Sequence, residues 1–434
     1  MTKIHTHNAP DISVVKPHFL FGAVAFLTAV LLMWGARMHL FGPYYHNKIL
    51  AIVHVNLLGW AMMLIYGSLY QLVPVVFESK LYSEPLAKWT FWLTGLSVAL
   101  MGYSFWTGQL ETWLLWAASL MYISLFMFVF NIAMSYKDAR LKNIKSYFII
   151  AAIFWLFMTQ TEGLLMAFNF KYNYYHAGNL YHLKMHALMG LVGFFLMMIF
   201  GVGTTLVPMF LVSHKHSEKP LWPSFVLLNA GISLMVANWI WFDKHWLTVA
   251  GWVMLTLGIG FYLKFVWDAF RNRFKRILDE GMQPTMLMFV LLPVPVILSG
   301  VLLFIKNPYG PLGMTLSLLL GFSMIFGVIN LIILGQTYKT IPFIIWLEKY
   351  QPYVGKYQIP LPKEVYQSTL AVWQYRLYLA FILLYVIALF LKNILILNLA
   401  LLVLTLVSVS YNYNMVKMFT HKPILKPLNK KQST

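Results

Sequence analysis

Long apolar runs are the feature that most constrains the fold of this 434-residue chain. Each run is about 20 residues or more in length, which is enough to cross a bilayer as a helix. Backbone N–H and C=O groups in hydrocarbon must be paired within the segment itself, so such runs predict membrane-spanning helices. Twelve runs stand out, near residues 18–40, 49–77, 86–107, 112–134, 147–168, 181–212, 221–241, 246–268, 284–305, 312–346, 370–391 and 394–417.

Composition excludes the other broad classes of protein. Hydrophobic residues make up 60% of the chain and charged residues 10%, which is far from a soluble or a disordered protein. The chain has no cysteine, so disulfides, thiolate-bound iron–sulfur clusters and covalently attached haem are excluded. The first apolar run is too long for a cleaved signal peptide, so we expect a retained first span. We predict an all-α polytopic membrane protein with a tail over 1–17, one membrane domain over 18–417 and a basic tail over 418–434.

The distribution of basic residues predicts the orientation in the membrane. Twelve spans place both termini on the same side, and 25 of the 32 Lys and Arg residues also lie on that side. Because loops rich in Lys and Arg stay in the cytoplasm, both termini are predicted to be cytoplasmic, in the cell inner membrane. Contact with anionic lipid headgroups explains the net charge of +19. We expect no nucleic-acid partner, because the basic residues are spread over many loops. The seven on the other side are Arg37, Lys48, Lys171, Lys184, Lys244, Lys306 and Lys392.

A short motif recurs at equal spacing. Residues 67–74 read GSLYQLVP, residues 201–208 read GVGTTLVP and residues 335–342 read GQTYKTIP. The first glycines are 134 residues apart in each case, and the motifs fall in the second, sixth and tenth runs. Chance is the alternative, since Gly and Pro are common in transmembrane helices. The equal spacing favours three pseudo-repeated groups of four helices rather than the two halves of a typical carrier. These groups cover roughly 18–134, 147–268 and 284–417.

Three histidines lie inside predicted helices at similar depth. His54 is in the first turns of helix two, while His182 and His186 are four residues apart on one face of helix six. Ionisable groups within a membrane are costly and are usually functional, and neutral imidazole binds metals and haem iron. The alternative for each ring is a simple hydrogen bond to a carbonyl group or water. We predict metal ligation by His54, His182 and His186, with His54 and His186 as the cofactor ligands.

Two further charged residues are candidates for the same site. Glu162 lies within helix five, where a carboxylate must pair, take up a proton or face water. It is predicted to relay protons as a catalytic group, and a bond to Gln160 or a neighbouring helix is the alternative. Arg37 ends helix one and could hold an anionic cofactor group such as a haem propionate through a bidentate pair. The alternative is that the Arg37 side chain extends toward the lipid headgroups.

This arrangement resembles subunit I of the haem–copper oxidase and nitric oxide reductase superfamily. In that family helix two carries a haem ligand at the depth of His54. Helix six carries a ligand of copper or another second metal, which His182 or His186 matches. The family also has two histidines in helix ten and adjacent histidines in helix seven, whereas residues 312–346 and 221–241 contain none. The resemblance therefore implies a divergent member with one haem, of the b type, and copper or a second metal as a further cofactor.

Three hypotheses for the function follow. The first is a haem-dependent oxidoreductase of the respiratory chain that acts on O₂ or nitric oxide and takes electrons from a quinol or an electron-donor subunit. The second is a non-catalytic haem protein, such as a nitric oxide sensor, a scavenger or an assembly factor. The third is a twelve-helix transporter without a cofactor. In each case membrane lipid surrounds the chain.

Overall fold

The fold is all-helical and polytopic, as the apolar runs predict. A computed structural model describes residues 10–140 and 142–427, so the far ends of both predicted tails lie outside the described residues. Twelve long helices, two short strands and a few short 3₁₀ turns account for the regular structure of the described residues. The strands, β1 (Tyr357–Gln358) and β2 (Lys426–Pro427), pair in antiparallel fashion. The helices are α1 (Ile12–Gly35), α2 (Asn47–Val76), α3 (Glu84–Thr107), α4 (Trp113–Lys137), α5 (Ile144–Tyr172), α6 (Gly178–Leu211), α7 (Leu221–Phe242), α8 (His245–Arg271), α9 (Met282–Phe304), α10 (Pro311–Tyr353), α11 (Ser368–Leu391) and α12 (Ile394–Phe419).

The helices are long enough for a multi-pass membrane protein. Within the described residues, eleven combine sufficient length with sufficient hydropathy to cross a bilayer, and α3 has a comparable 24 residues. Among the helix starts, the largest shift from the sequence prediction is at α1, which begins at Ile12 rather than near residue 18. The Asp11 side chain accepts a hydrogen bond from the Ser13 N–H at 2.7 Å. This cap satisfies an otherwise free donor and starts the helix before the apolar run begins.

The predicted threefold repeat is visible in the backbone. Each of α2, α6 and α10 contains an eight-residue π-helical segment, at Val55–Met62, Met189–Leu196 and Ser323–Asn330. These segments start 134 residues apart, which is the spacing of the sequence motif. Because π-helical turns are rare and are concentrated at functional sites, their recurrence in equivalent helices supports a common origin for the three groups.

The fifth residue of each π-helical segment is a glycine, and two of them lie where helices meet closely. A Cβ atom added to Gly59 would lie 2.9 Å from Cβ of Ala25 in α1, and one added to Gly193 would lie 2.7 Å from Cβ of Trp155 in α5. Real side chains do not approach so closely. Small residues at these positions therefore allow the backbones to pack, as is usual between membrane helices.

Polar contacts tie the central helices together. Asn56 in α2 and Asn330 in α10 are buried and exchange two amide hydrogen bonds, at 3.0 and 3.2 Å. Trp60 stacks on Phe26 with ring centroids 4.1 Å apart, and its indole N–H donates to the Tyr411 hydroxyl at 3.3 Å. Asn56 and Trp60 both follow His54 along α2. Asn56 packs α2 against α10, and Trp60 packs α2 against α1 and α12.

An ion-pair cluster fixes the connection between α8 and α9 against α10. The Asp279 carboxylate accepts hydrogen bonds from Lys275 and Lys339, both at 2.6 Å. Lys339 also lies over the ring of Phe210 in α6, 4.6 Å from its centroid. Burial alone would raise the pKa of the Asp279 carboxyl, but the hydrogen bonds from Lys275 and Lys339 lower it below its usual value. The ionised form is thus favoured by folding.

We expect Asp279→Asn to lower the free energy of unfolding in detergent by about 1–2 kcal/mol at pH 7, because two charge-assisted hydrogen bonds are lost. A carboxyl group whose pKa is depressed in the folded state stabilises the fold above its unfolded pKa of about 4 and loses this effect as pH falls through the folded pKa. The difference between wild type and variant should therefore shrink below about pH 4. Thermal unfolding followed by circular dichroism measures the stability of wild type and variant at each pH. A stability difference that does not change with pH would contradict the role of the ionised Asp279 carboxylate.

Candidate functional site

A well-formed cavity borders α2, α3, α4, α5 and α6, near the ends at which α2 and α6 begin. It has a volume of about 370 Å³, which falls in the range of pockets that hold small molecules and cofactors. Its lining is mainly apolar and includes Leu57, Met101 and Phe194. The polar residues that line it are Tyr45, Asn47, His54, Thr159, Gln160, Asn179 and His186.

The structure brings His54 and His186 together in this cavity. Their ring centroids are 6.4 Å apart and the ring planes differ by 26°. The Nδ1–H of His54 donates to the Leu50 carbonyl oxygen at 2.7 Å, and that of His186 donates to the Thr159 carbonyl oxygen at 3.0 Å. Since a carbonyl oxygen can only accept, each Nδ1 carries the proton and each Nε2 keeps its lone pair. Neither Nε2 has a hydrogen-bond partner within residues 10–140 and 142–427.

Local backbone structure and packing position the two rings. His54 is the residue just before the π-helical segment of α2, and His186 is three residues before that of α6. Phe105 of α3 stacks on His54 with ring centroids 4.9 Å apart. On the other side, a Cβ atom added to Gly163 of α5 would lie 2.9 Å from Cε1 of His186. The absence of a side chain at Gly163 therefore makes room for the imidazole.

His182 is not part of the cavity lining. Its Nδ1 lies 2.7 Å from Oε1 of Glu162, and both side chains are largely buried. Tyr175 stacks on the His182 ring, with centroids 3.5 Å apart and planes within 2°. Burial raises the pKa of the Tyr175 phenol, and the charge of Glu162 raises it further. Glu162, His182 and Tyr175 thus form a separate acid–base cluster beside the cavity.

The remaining predicted site residue lies elsewhere. Arg37 is exposed, donates from Nη1 to the Trp34 carbonyl oxygen at 3.4 Å, and does not contribute to the cavity lining. Among the described residues, no group of three or more His, Cys, Asp or Glu side chains is close enough to hold a metal ion. Of the three histidines predicted as ligands, His54 and His186 lie close together in the cavity, whereas His182 is paired with Glu162.

The α5 residues that position His186 were not predicted from the sequence. Gln160 is 7% exposed, lines the cavity and, in the part of the chain that is described, makes no hydrogen bond to Glu162. Thr159 supplies the carbonyl group that orients His186, and Gly163 supplies the space for it. Thr159 and Gly163 are four residues apart, so they share a helix face. That spacing is the one signal the sequence contains.

Comparison with known proteins gives partial matches to one kind of protein. No family model matches the chain. The chain is 28% identical over 127 residues to a cytochrome c oxidase subunit 1 homolog of Agrobacterium tumefaciens, covering 29% of this chain and 22% of that protein. It is 34% identical over 76 residues to a bacteroid cytochrome c oxidase subunit 1 homolog of Bradyrhizobium diazoefficiens, covering 17% and 14%. It is also 34% identical over 74 residues to cytochrome c oxidase subunit 1 of Rhodobacter capsulatus, covering 17% and 14%.

These matches agree with the resemblance predicted from the helix plan and the histidines. The chain spans at most 22% of the length of these three curated relatives, so their activities and partners are not carried over with the fold. The all-helical polytopic fold and the partial matches together identify the chain as a divergent protein similar to subunit I of the haem–copper oxidases.

Proposed function

We propose that the chain is a membrane haem protein of respiratory electron transfer, in which His54 and His186 would hold one b-type haem. The observation that carries the proposal is the pair of imidazoles, 6.4 Å apart between centroids, with both Nδ1 atoms already hydrogen-bonded. Two metal–nitrogen bonds of about 2 Å, plus about 1 Å from each nitrogen to its ring centre, require a separation of about 6 Å. The separation of the two ring centroids therefore matches what an iron held by both Nε2 atoms would require.

The ligand count favours haem over a bare metal ion. Protein zinc sites use three or four side-chain ligands, and copper sites usually need more than two. The described residues offer two imidazoles in an apolar cavity of about 370 Å³ and no larger cluster of ligands. A porphyrin brings four nitrogen ligands of its own and needs an apolar slot, so two histidines suffice. A copper ion held by the same pair is the alternative cofactor.

The chain's own residues would orient and insulate the cofactor. The carbonyl oxygens of Leu50 and Thr159 fix the direction of each imidazole and increase the basicity of Nε2. The apolar lining keeps water away, which influences the redox potential. When bound, the haem supplies one-electron chemistry. We assign Glu162 as the group that holds a proton beside the cavity, with His182 as its partner at 2.7 Å.

The presence of two imidazoles that would both hold the haem supports electron transfer ahead of O₂ or nitric oxide reduction. The same observation supports the second candidate, a non-catalytic sensor, scavenger or assembly factor. The similarity to cytochrome c oxidase subunit 1 proteins supports the respiratory assignment. We further propose a location in the cell inner membrane with both termini cytoplasmic, and a quinol or donor subunit as the electron source. The basic loops support this orientation.

An optical spectrum of the detergent-purified protein tests the proposal. We expect the α-band of a reduced low-spin b-type haem, at one haem per chain by haemochrome assay, with no shift on addition of CO. A CO-induced shift would favour O₂ or nitric oxide chemistry at an open iron. The lack of a Soret band in protein from haem-sufficient cells, with metal analysis also blank, would overturn the proposal and leave the transporter hypothesis.

A further inference from the structure

A further cavity lies where the three copies of the repeated motif meet. It has a volume of about 110 Å³ and is bordered by α2, α6 and α10, together with Phe19 of α1. Residues at the 134-residue spacing of the motif line it from the three central helices, so it lies on the pseudo-threefold axis of the fold. Two of these sets of three are Leu64, Met198 and Ile332, and Ser68, Val202 and Gln336.

Two hydroxyl groups in the lining are free to bind a ligand. Within a helix, serine and threonine often donate to the carbonyl group four residues back, as Thr204 and Thr337 do at 2.7 and 2.8 Å. Ser68 and Thr340 line the cavity and, in the part of the chain that is described, make no hydrogen bond through their hydroxyls. Oε1 of Gln336, in the same layer as Ser68, also has no partner among the described residues. The wall therefore has spare donors and acceptors.

The lining carries no charge, which selects a neutral ligand. The described residues that border the cavity include no acidic or basic side chain, and most are aliphatic. Lys339 precedes Thr340 in α10, but its ammonium group is bonded to the Asp279 carboxylate at 2.6 Å. Burial of an ionised group without a partner is costly. A carboxylate or an ammonium ligand is therefore disfavoured.

The size and direction of the cavity favour an aliphatic chain. A cavity of about 150 Å³ holds a benzene ring in an engineered protein, so the smaller volume here leaves no room for a substituted ring such as a quinol headgroup. Phe195 of α6 also lines the histidine cavity. Val202, the α6 equivalent of Ser68, lies seven residues beyond Phe195, or about 10 Å along the helix axis. The polar end of the cavity thus lies away from the histidines.

We propose that this cavity binds a neutral aliphatic alcohol, whose hydroxyl group bonds to those of Ser68 and Thr340 and whose chain extends along the pseudo-threefold axis toward Phe195. A hydroxyl ligand can donate to one of these oxygens and accept from the other. A free short-chain alcohol and the hydroxyl-bearing chain of a neutral lipid share this chemistry. Binding needs no haem, so the site does not rest on the proposed function.

Photolabelling tests the site directly. The probe is a hexanol that carries a photoreactive diazirine on its chain, applied to the full-length protein in detergent. We expect saturable labelling of cavity residues such as Leu69 and Met198, with displacement by unlabelled hexanol but not by hexane. Labelling that does not saturate, or that hexane displaces equally well, would overturn an alcohol site.

Removal of the two hydroxyls tests their role at nearly constant volume. Because two hydrogen bonds are lost, Ser68→Ala/Thr340→Val should weaken displacement by hexanol roughly tenfold or more. Thr256→Val is the matched control, since Thr256 is half-buried in α8, donates to the Trp252 carbonyl oxygen and does not line the cavity. An unchanged affinity for hexanol in the double variant would contradict the assignment of the hydroxyls.

A filled cavity tests the location and identifies the source of the ligand. Val202→Trp should abolish saturable labelling, whereas Val226→Trp, at an exposed position of α7, should not. Mass spectrometry of extracts then compares wild type with Val202→Trp. A hydroxyl-bearing neutral lipid present in wild type alone assigns a membrane source, and an empty wild type that binds hexanol assigns a free alcohol. A charged lipid present in wild type alone, or wild-type labelling in folded Val202→Trp, would overturn the proposal.

Discussion

His54→Ala and His186→Ala should each remove the low-spin haem spectrum of the purified protein. Either change deletes one of the two imidazoles that face each other across the cavity at 6.4 Å. Loss of a partner that only orients a ligand costs about 10–100-fold in metal affinity, and loss of the ligand itself should cost at least as much. Haem that remains in a single variant should gain an open position and bind CO. The double variant should retain no haem.

The matched control is His182→Ala. His182 lies only four residues from His186, but it pairs with Glu162 and does not line the cavity. We therefore expect full haem occupancy and an unshifted spectrum in this variant. Soret absorbance per chain and the pyridine haemochrome assay measure occupancy in all four proteins. If His182→Ala loses haem while His186→Ala retains it, the ligand assignment is wrong.

The fold could be predicted from the sequence because hydrocarbon leaves the backbone few alternatives. Every long apolar run had to become a helix to pair its own N–H and C=O groups. Helix ends were less predictable, since a cap such as Asp11 acts outside the apolar run. The repeated motif predicted the grouping of the helices. The π-helical segments at the same spacing share no residue at an equivalent position except the fifth, a glycine, so nothing in the residues predicts them.

The helix that carries each candidate residue could be predicted, but the direction of its side chain could not. His182 and His186 share one face of α6, and the neighbouring helix decides where each ring goes. Glu162 and Gly163 are adjacent in α5 and therefore point in different directions. The Glu162 carboxylate is hydrogen-bonded to His182. The lack of a side chain at Gly163 leaves room for the His186 ring. A single sequence does not reveal this register between α5 and α6.

The local backbone also decides the direction of the Arg37 side chain. Arg37 follows the end of α1, as predicted, but the chain turns there into a short 3₁₀ helix over Arg37–His39. The guanidinium then bonds to the Trp34 carbonyl oxygen and stays exposed. Its assignment to a haem propionate remains a prediction that the cavity geometry does not support.

Gly163→Leu should reduce haem occupancy nearly as much as His186→Ala does. Even one added carbon at Gly163 would lie 2.9 Å from Cε1 of His186, closer than real Cβ atoms come. Gly163→Ala should therefore displace the imidazole by a few tenths of an ångström and shift the haem midpoint potential. The leucine side chain adds three further carbons, and residue 163 already lines the cavity. The His186 ring must therefore leave its position.

Two controls separate this effect from general damage to the membrane domain. Gly260→Leu places the same side chain in α8, where an added Cβ would meet nothing within 4 Å, and it should keep full haem occupancy. The double variant Gly163→Leu/His186→Ala should be no worse than His186→Ala alone, because residues that act through one contact are not additive. Full occupancy with an unshifted spectrum in Gly163→Leu would mean that His186 does not bind the iron. Gly163 has no side chain of its own, so any loss comes from the added carbons, which either displace that imidazole or fill the cavity that Gly163 lines.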